Sequence, residues 1–224
     1  MLDASLPPWD FLGNPRVTGV SIDMGACEYG VAAESNLSGD LTGTLSRALS
    51  PYRILGSVTV PLGGELRVAA GVRLVFEPGC YLDVDGRIVV QGTEGLPVVF
   101  TARDTTNGWA GVRIIGNWAD NVFSNAVFEY GRALAPYSAP FYGPEMEGAG
   151  IYVQNGRVML SGCVLRYNKA TSHGSALSAM HDQDVRIWDC VLMSNETVNA
   201  CAGFGALFFL AGAPTNSFVE VVGC

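Results

Sequence analysis

One short pattern recurs along this chain and limits what the chain can fold into. Its copies are 37, 27 and 34 residues apart, measured at Ala126, Cys163, Cys190 and Cys224. A period of roughly 20 to 50 residues indicates a repeat array. The copies are NVFSNAVFEYG (121–131), VMLSGCVLRYN (158–168), VRIWDCVLMSN (185–195) and the opening of a further one, VEVVGC (219–224).

Each copy alternates apolar and other residues, so Cys163 and Leu165 would share one face of a strand. A weaker set of copies precedes the first: WAGVRI (109–114), GAGIYV (148–153), GSALSA (174–179) and FGALFF (204–209). Each repeat thus holds two short strands, and no helical spacing long enough for a crossover helix intervenes. Strands that recur in this way must coil and stack in parallel on their own next turn. The pattern predicts an all-β chain, a parallel β-helix or solenoid.

The repeated pattern resembles that of bacterial right-handed parallel β-helix repeat proteins. It consists of an apolar strand, an Asn, Asp or Gly before Cys, a Leu or Phe two residues later, a closing Asn and then a Gly-rich strand. The resemblance covers most of the chain. It implies a single-stranded right-handed β-helix and, because the class is largely exported, an extracellular or cell-surface location. These motifs specify a fold far better than a function.

Charge and composition limit the classes of molecule that this chain is expected to bind. The 224 residues carry a net charge of −8, and no Lys/Arg cluster occurs, which argues against nucleic acid or anionic lipid as the main partner. Apolar runs are interrupted well before the roughly 18 to 20 residues of a membrane span. The N-terminus lacks the basic and apolar regions of a secretory signal. The last repeat stops at Cys224, so we expect the sequence to be part of a longer exported bacterial protein.

Three segments are predicted. Residues 10–30 resemble the closing signature of a choice-of-anchor Q domain, with Asp23, Gly25, Ala26 and Glu28 matching as they stand. Residues 1–30 are therefore interpreted as the remnant of a preceding β-helix domain, the alternative being that 21–29 form an edge strand of this domain. Residues 31–51, rich in Ser, Gly and Thr, are predicted to be a linker or an N-terminal cap.

Residues 52–224 are predicted to form the β-helix, truncated at its C-terminus. Short apolar strands separated by Gly or Pro turns run from 52 to 102. The segment GTEGLPVVFT (92–101) resembles the opening coils of extracellular bacterial β-helix proteins.

Cysteines and asparagines recur at fixed places in the repeat. None of the six cysteines has a CxxC or zinc-site spacing. Cys163, Cys190 and Cys224 should stack inward above Ala126 as small buried side chains, because parallel stacking suits packing better than disulfide geometry. Asn168 and Asn195 close successive copies, where we expect stacked amides bonded to turn backbone.

Residues 132–147 insert between two repeats and are predicted to form an irregular surface loop. Its aromatic residues, Tyr137, Phe141 and Tyr142, are the candidate ligand contacts. Either the loop covers an apolar stripe beside the buried row, or stripe and aromatics together form a contact surface for a sugar chain or another domain. The predicted stripe consists of Val127, Val164 and Val191.

No metal or other cofactor is predicted. Asp182 and Asp184, like Asp83 and Asp85, lie two apart on turns, but two carboxylates fall short of the oxygen ligands that calcium needs. Solvated turns are the simpler interpretation.

No catalytic residue is predicted either. Outward candidates across the repeat are Glu129, Arg166, Lys169, His173 and Glu196, of which Glu129 and Arg166 occupy equivalent positions and fit an exposed ion pair as well as catalysis. No Gly-x-Ser-x-Gly, phosphate loop or HExxH occurs, and two histidines make a His-based triad improbable.

Three functions remain from the sequence. The first is a non-catalytic structural or adhesive module of a larger exported protein, with polysaccharide or adjacent domains as partners. The second is a polysaccharide lyase or hydrolase, which would need an acidic or calcium-bearing groove. The third is a carbohydrate-binding module.

Overall fold

The computed structural model describes residues 35–136, 143–198, 205–210 and 217–224, and this part of the chain folds into β-strands without an α-helix. A 3-10 turn covers Arg47–Leu49. The strands are β1 (Ser35–Asp40), β2 (Gly43–Leu45), β3 (Tyr52–Val60), β4 (Glu65–Ala69), β5 (Arg73–Phe76), β6 (Leu82–Val84), β7 (Arg87–Gln91), β8 (Val98–Ala102), β9 (Val112–Ile115), β10 (Val122–Ser124), β11 (Ala126–Glu129), β12 (Arg132–Ala133), β13 (Ile151–Ser161), β14 (Val164–Arg166), β15 (Lys169–Ala170), β16 (Leu177–Trp188), β17 (Val191–Met193), β18 (Glu196–Thr197), β19 (Leu207–Leu210) and β20 (Phe218–Val222).

Seventeen of the described strands line up in three stacks, while β12, β15 and β18 form a separate small sheet. All the described pairings between strands are parallel. β6 and β9 belong to the first stack, β7 and β10 to the second, and β8 and β11 to the third. β13 bends at Asn155 and β16 at His181, so each contributes to the first stack and then the second. The chain passes through the three stacks in the same order once per repeat. The predicted all-β parallel architecture is therefore present.

The interior follows from the two-residue period of a strand. In β7, Ile88 and Val90 are fully buried, while Arg87, Val89 and Gln91 alternate with them and are partly or fully exposed. Inward residues of successive strands then stack on one another: Phe100 and Phe128 are register partners with ring centroids 4.9 Å apart. That distance matches the spacing of paired strands, about 4.7–4.9 Å. A continuous apolar core runs along the stacks.

Cys163 and Cys190 lie inside the third stack, as predicted, but the prediction that Cys224 is buried with them is wrong. Cys163, Cys190 and Ala126 are at most 2% exposed, and the residues that follow them are register partners. The exposed Cys224 continues the row, because its Sγ accepts a hydrogen bond from the Cys190 N–H at 3.3 Å. A hydrogen bond with Cys190 and burial raise the pKa of the Cys163 thiol. Cys163 is therefore a protonated packing residue at neutral pH.

A backbone requirement explains the residue before each member of the row. Asn125, Gly162, Asp189 and Gly223 have φ angles of 45°, 62°, 50° and 68°. This left-handed region is open to Gly and tolerated by Asn and Asp. The recurring Asn/Gly/Asp/Gly of the sequence pattern is thus a turn signal.

The predicted asparagine ladder is confirmed. The Asn168 Nδ2 donates to Asn195 Oδ1 at 3.0 Å and to the Phe128 carbonyl at 3.1 Å, while its Oδ1 accepts the Gly131 N–H at 2.8 Å. Asn195 Nδ2 donates to the Leu165 carbonyl at 2.8 Å. Each amide fastens a turn to its neighbour in the next repeat.

Residues 35–45, within the segment predicted to be a linker or cap, form β1 and β2. These strands pair in parallel with β3 and β4, so no break in pairing occurs at residue 52. Among the described strands they form the outermost layer at the N-terminal side, which is the position of a cap. Residues 1–34, including the matches at Asp23, Gly25, Ala26 and Glu28, lie outside the described part.

The insertion is not irregular throughout. It begins with β12, which pairs with β15 and through it with β18 in a small parallel sheet. Ala133 and Ala170 of this sheet are buried together with Ala149. Its last residue, Glu147, is fully buried. The prediction of a surface loop over 132–147 is therefore wrong at both of its ends.

Candidate functional site

The predicted outward pair Glu129 and Arg166 forms an ion pair between two repeats. The two residues are register partners on β11 and β14, and Arg166 Nη2 lies 2.7 Å from Glu129 Oε2. The Glu129 side chain is only 7% exposed, against 39% for Arg166. The prediction of an exposed pair is therefore wrong for the carboxylate, because the arginine lies across it.

A second pair of the predicted candidates also joins neighbouring strands. Lys169 Nζ lies 3.1 Å from Glu196 Oε1, and the two are register partners on β15 and β18. Both side chains are more than a third exposed, so this contact contributes on the order of 0–1 kcal/mol.

His173, predicted to face outward, is instead buried beneath the end of the insertion. Its Nδ1 lies 2.7 Å from Glu147 Oε1 and 2.6 Å from Ser172 Oγ. The Ser178 hydroxyl donates to Glu147 Oε2 at 3.1 Å, and the Phe208 ring stacks on the imidazole at 4.3 Å. The prediction failed because the bend after β15 turns the histidine under residues 143–147.

The geometry of this Glu147 cluster differs from that of a serine–histidine–carboxylate triad. A serine nucleophile activated by histidine needs the serine on one ring nitrogen and the orienting carboxylate on the other. Here Ser172 and Glu147 share Nδ1, and Ser172 is 6% exposed. The cluster fastens the insertion to β16. Sequence reasoning missed Glu147, since nothing in the proline-rich segment distinguishes it from the neighbouring Glu145.

The interpretation of the paired aspartates as solvated turns is wrong for Asp184, which lies in β16. Asp184 is buried and binds Arg157 Nε at 3.0 Å and Arg186 Nε at 3.0 Å. Burial, aided by the charge of Asp85 and opposed by nearby Arg113, raises the pKa of the Asp83 carboxyl. In the described ranges no three His, Cys, Asp or Glu side chains are grouped closely enough to hold a metal ion.

The candidate ligand contacts Tyr137, Phe141 and Tyr142 lie outside the described residues. The predicted valine stripe is present: Val127, Val164 and Val191 are register partners, and Val191 is 51% exposed. The second end of the insertion, residues 143–147, makes polar contacts on the first stack and beside it. Glu145 lies 3.6 Å from Arg113 of β9, and the Met146 carbonyl accepts the Ser172 N–H at 2.9 Å.

One surface cleft among the described residues has the shape of a ligand site. It lies between the first and second stacks, where three successive turns, residues 62–65, 85–87 and 116–119, border an open depression of about 480 Å³. Leu62 and Trp118 line it and are 89% and 43% exposed. Glu65, Asp85 and Arg87 supply its charged groups.

Glycines let these turns pack backbone against backbone. A Cβ on Gly86 would overlap the carbonyl oxygens of Gly64 and Pro61, and one on Gly64 would lie 2.8 Å from Thr42 Cγ2. The next turn is fastened by Asn117, whose Nδ2 donates to the Val84 and Gly86 carbonyls, each at 2.7 Å. The floor of the cleft is therefore rigid main chain.

Sequence reasoning did not find this cleft. The three turns differ in length and share no motif, and Leu62 and Trp118 are brought together only by stacking of the repeats.

No protein-family model matches this chain, and comparisons with curated proteins and with solved structures found no match. Over the part of the chain that the structure describes, no helix is long and apolar enough to cross a membrane.

Proposed function

We propose that this chain is a single-stranded right-handed parallel β-helix that serves as a non-catalytic structural or adhesive module of a larger exported bacterial protein. The parallel strand pairing and the constant strand order are consistent with the β-helix architecture. Right-handedness is the expected hand because parallel crossover connections are right-handed in about 98% of cases. An extracellular or cell-surface location belongs to this proposal and follows from the family resemblance.

The observation that carries the non-catalytic function is the state of the outward carboxylates. An acid or base catalyst for polysaccharide cleavage must reach its substrate. Here four of the carboxylates along the repeats are held by arginine or lysine of the neighbouring repeat, each pair joining register partners. The pairs are Glu65 with Arg87, Glu129 with Arg166, Arg157 with Asp184, and Lys169 with Glu196.

Rigidity supports a structural use. Successive repeats are joined by main-chain ladders, and some of them also by the asparagine ladder or by one of these cross-repeat ion pairs. Stacked repeats of this kind behave as a quasi-one-dimensional body whose neighbours stabilise one another. A stiff body of this form suits a spacer, or a support that displays a binding surface away from its anchor.

The test is a direct search for cleavage. The purified chain would be incubated, with and without calcium, with neutral and acidic polysaccharides, and new reducing ends and ultraviolet-absorbing unsaturated products would be measured. We expect no product above a heat-denatured control. Product formation that disappears in Glu129→Gln or Arg166→Met would contradict the proposal and support a polysaccharide-active enzyme.

The exported context has its own test. The complete reading frame that contains this segment should encode an export signal and a neighbouring anchor or sorting domain. A frame that encodes a protein without any export signal would contradict that part of the proposal.

A further inference from the structure

The cleft between the first and second stacks combines an exposed aromatic ring with fixed polar groups. Trp118 is 43% exposed and Leu62 89% exposed, so two large apolar side chains border one concave surface. Exposed apolar groups gathered beside polar ones mark interaction sites. The volume of about 480 Å³ falls within the range of about 300–1,000 Å³ typical of small-ligand sites.

The polar groups of the cleft are already oriented. Glu65 is held by Arg67 Nε at 2.6 Å and by Arg87 Nη1 at 2.7 Å, which fixes both an acceptor and a donor at the wall. Asp85 is exposed, and its carboxylate makes no hydrogen bond or ion pair with any of the described residues. The Asn117 amide group donates its hydrogen bonds to the turn backbone, so it holds the turns together and is not a ligand contact. The ligand would therefore meet Asp85 and the Glu65–Arg87 pair.

We propose that this cleft binds a neutral polysaccharide, with one sugar ring lying on the Trp118 indole and its hydroxyl groups bonded to Asp85 and to the Glu65–Arg87 pair. A sugar has an apolar face of C–H groups and a rim of hydroxyls, which are donors and acceptors at once. It matches a surface made of one aromatic face and several charged hydrogen-bonding groups.

Other ligand classes fit less well. The charged lining residues sum to −1, and the arginine among them is already paired with Glu65, so a phosphate or a nucleic acid would meet an uncompensated Asp85. Two carboxylates, one of them bound by two arginines, fall short of a metal site. Acidic polysaccharides are disfavoured for the same reason as phosphate.

This inference deepens the adhesive function proposed above and rests on it. It names a ligand class and a place, the cleft formed by the turns at residues 62–65, 85–87 and 116–119.

The experiment is a glycan array of neutral and acidic polysaccharides, followed by isothermal titration calorimetry with the best neutral oligosaccharide. We expect the parent chain to retain neutral glycans. Trp118→Ala should weaken the affinity at least tenfold, and Asp85→Asn several-fold. Phe218→Ala removes an aromatic side chain of similar exposure, 47%, outside the cleft and should leave the affinity unchanged. Thermal melting of each variant checks that the fold persists.

The outcomes separate the two proposals. A parent chain that retains no glycan, or only acidic ones, overturns the cleft assignment. A parent that binds neutral glycans equally well after Trp118→Ala and Asp85→Asn also overturns it, while the adhesive function stands. A parent that cleaves the glycan overturns the non-catalytic function, whichever variants bind.

Discussion

Asn168 offers the sharpest test of how the repeats are fastened together. Its side chain is fully buried and serves two main-chain groups of the preceding repeat, the Gly131 N–H and the Phe128 carbonyl, besides Asn195. Asn168→Ala removes all three hydrogen bonds and leaves those two groups without their partner. An unsatisfied buried polar group costs about 1–3 kcal/mol. We therefore expect a loss of about 2–5 kcal/mol in the free energy of unfolding.

Circular dichroism melting measures the effect. For a chain of this size 1 kcal/mol shifts Tm by about 2–4 °C, so Asn168→Ala should lower Tm by roughly 4–20 °C. Asn168→Asp should act in the same direction at neutral pH, since a carboxylate cannot donate to the Phe128 carbonyl. Asn36→Ala, an exposed asparagine on β1, is the matched control and should change Tm by less than about 2 °C. An Asn168→Ala protein that melts with the control would refute the ladder as a source of stability.

Three further changes test other parts of the structure. Burial, then the charges of Glu147 and Glu145, raise the pKa of Tyr152 from 10.0 to about 12, so the folded state keeps the phenol protonated after the unfolded state has lost its proton. The stabilisation that the protonated phenol gives the folded state is complete below pH 10 and is lost as the pH rises towards 12, by up to about 2.7 kcal/mol. In denaturant titrations Tyr152→Phe should therefore lose less free energy of unfolding than the parent between pH 10 and 12. Equal losses would contradict the raised pKa of Tyr152. Gly86→Ala should lower the free energy of unfolding by about 1–3 kcal/mol, because the new methyl overlaps the Pro61 and Gly64 carbonyls. Gly95→Ala, with open space around the new methyl, should be neutral or slightly stabilising. The same chemical-denaturation midpoint for both variants would argue against the close stacking of the turns. Glu129→Gln should lower the free energy of unfolding by about 1 kcal/mol, and a double-mutant cycle with Arg166→Met should give a coupling energy of similar size. Zero coupling would mean that the ion pair contributes nothing to stability.

The repeat register could be predicted because it is a local property of the sequence. A strand alternates with a period of two, so the spacing from Cys163 to Leu165 already places both inside. The turn before each member of the row needs a left-handed residue, which leaves a visible Asn, Gly or Asp. The amides of Asn168 and Asn195 then lie on one another once the strands are in register.

The Glu147 cluster and the cleft could not be predicted, because they join segments that the sequence leaves apart. Glu147 and His173 meet only because the insertion folds back over β16, and the insertion has no periodic pattern that fixes its path. The cleft depends on how three turns of unequal length stack, and the sequence positions of Leu62 and Trp118 do not show that these residues lie on one surface. Local periodicity therefore determined the strands, while the candidate ligand site depended on the turns.

A crystal structure phased from the native sulfur atoms tests the central claim most directly. The account predicts that the sulfur atoms of Cys163 and Cys190 lie inside one row, in adjacent repeats joined by parallel strands, and that the chain winds in the right-handed sense. The Asn168 and Asn195 amides should stack along the same body. Sulfur atoms on opposite faces, antiparallel neighbours or a left-handed winding would contradict the account.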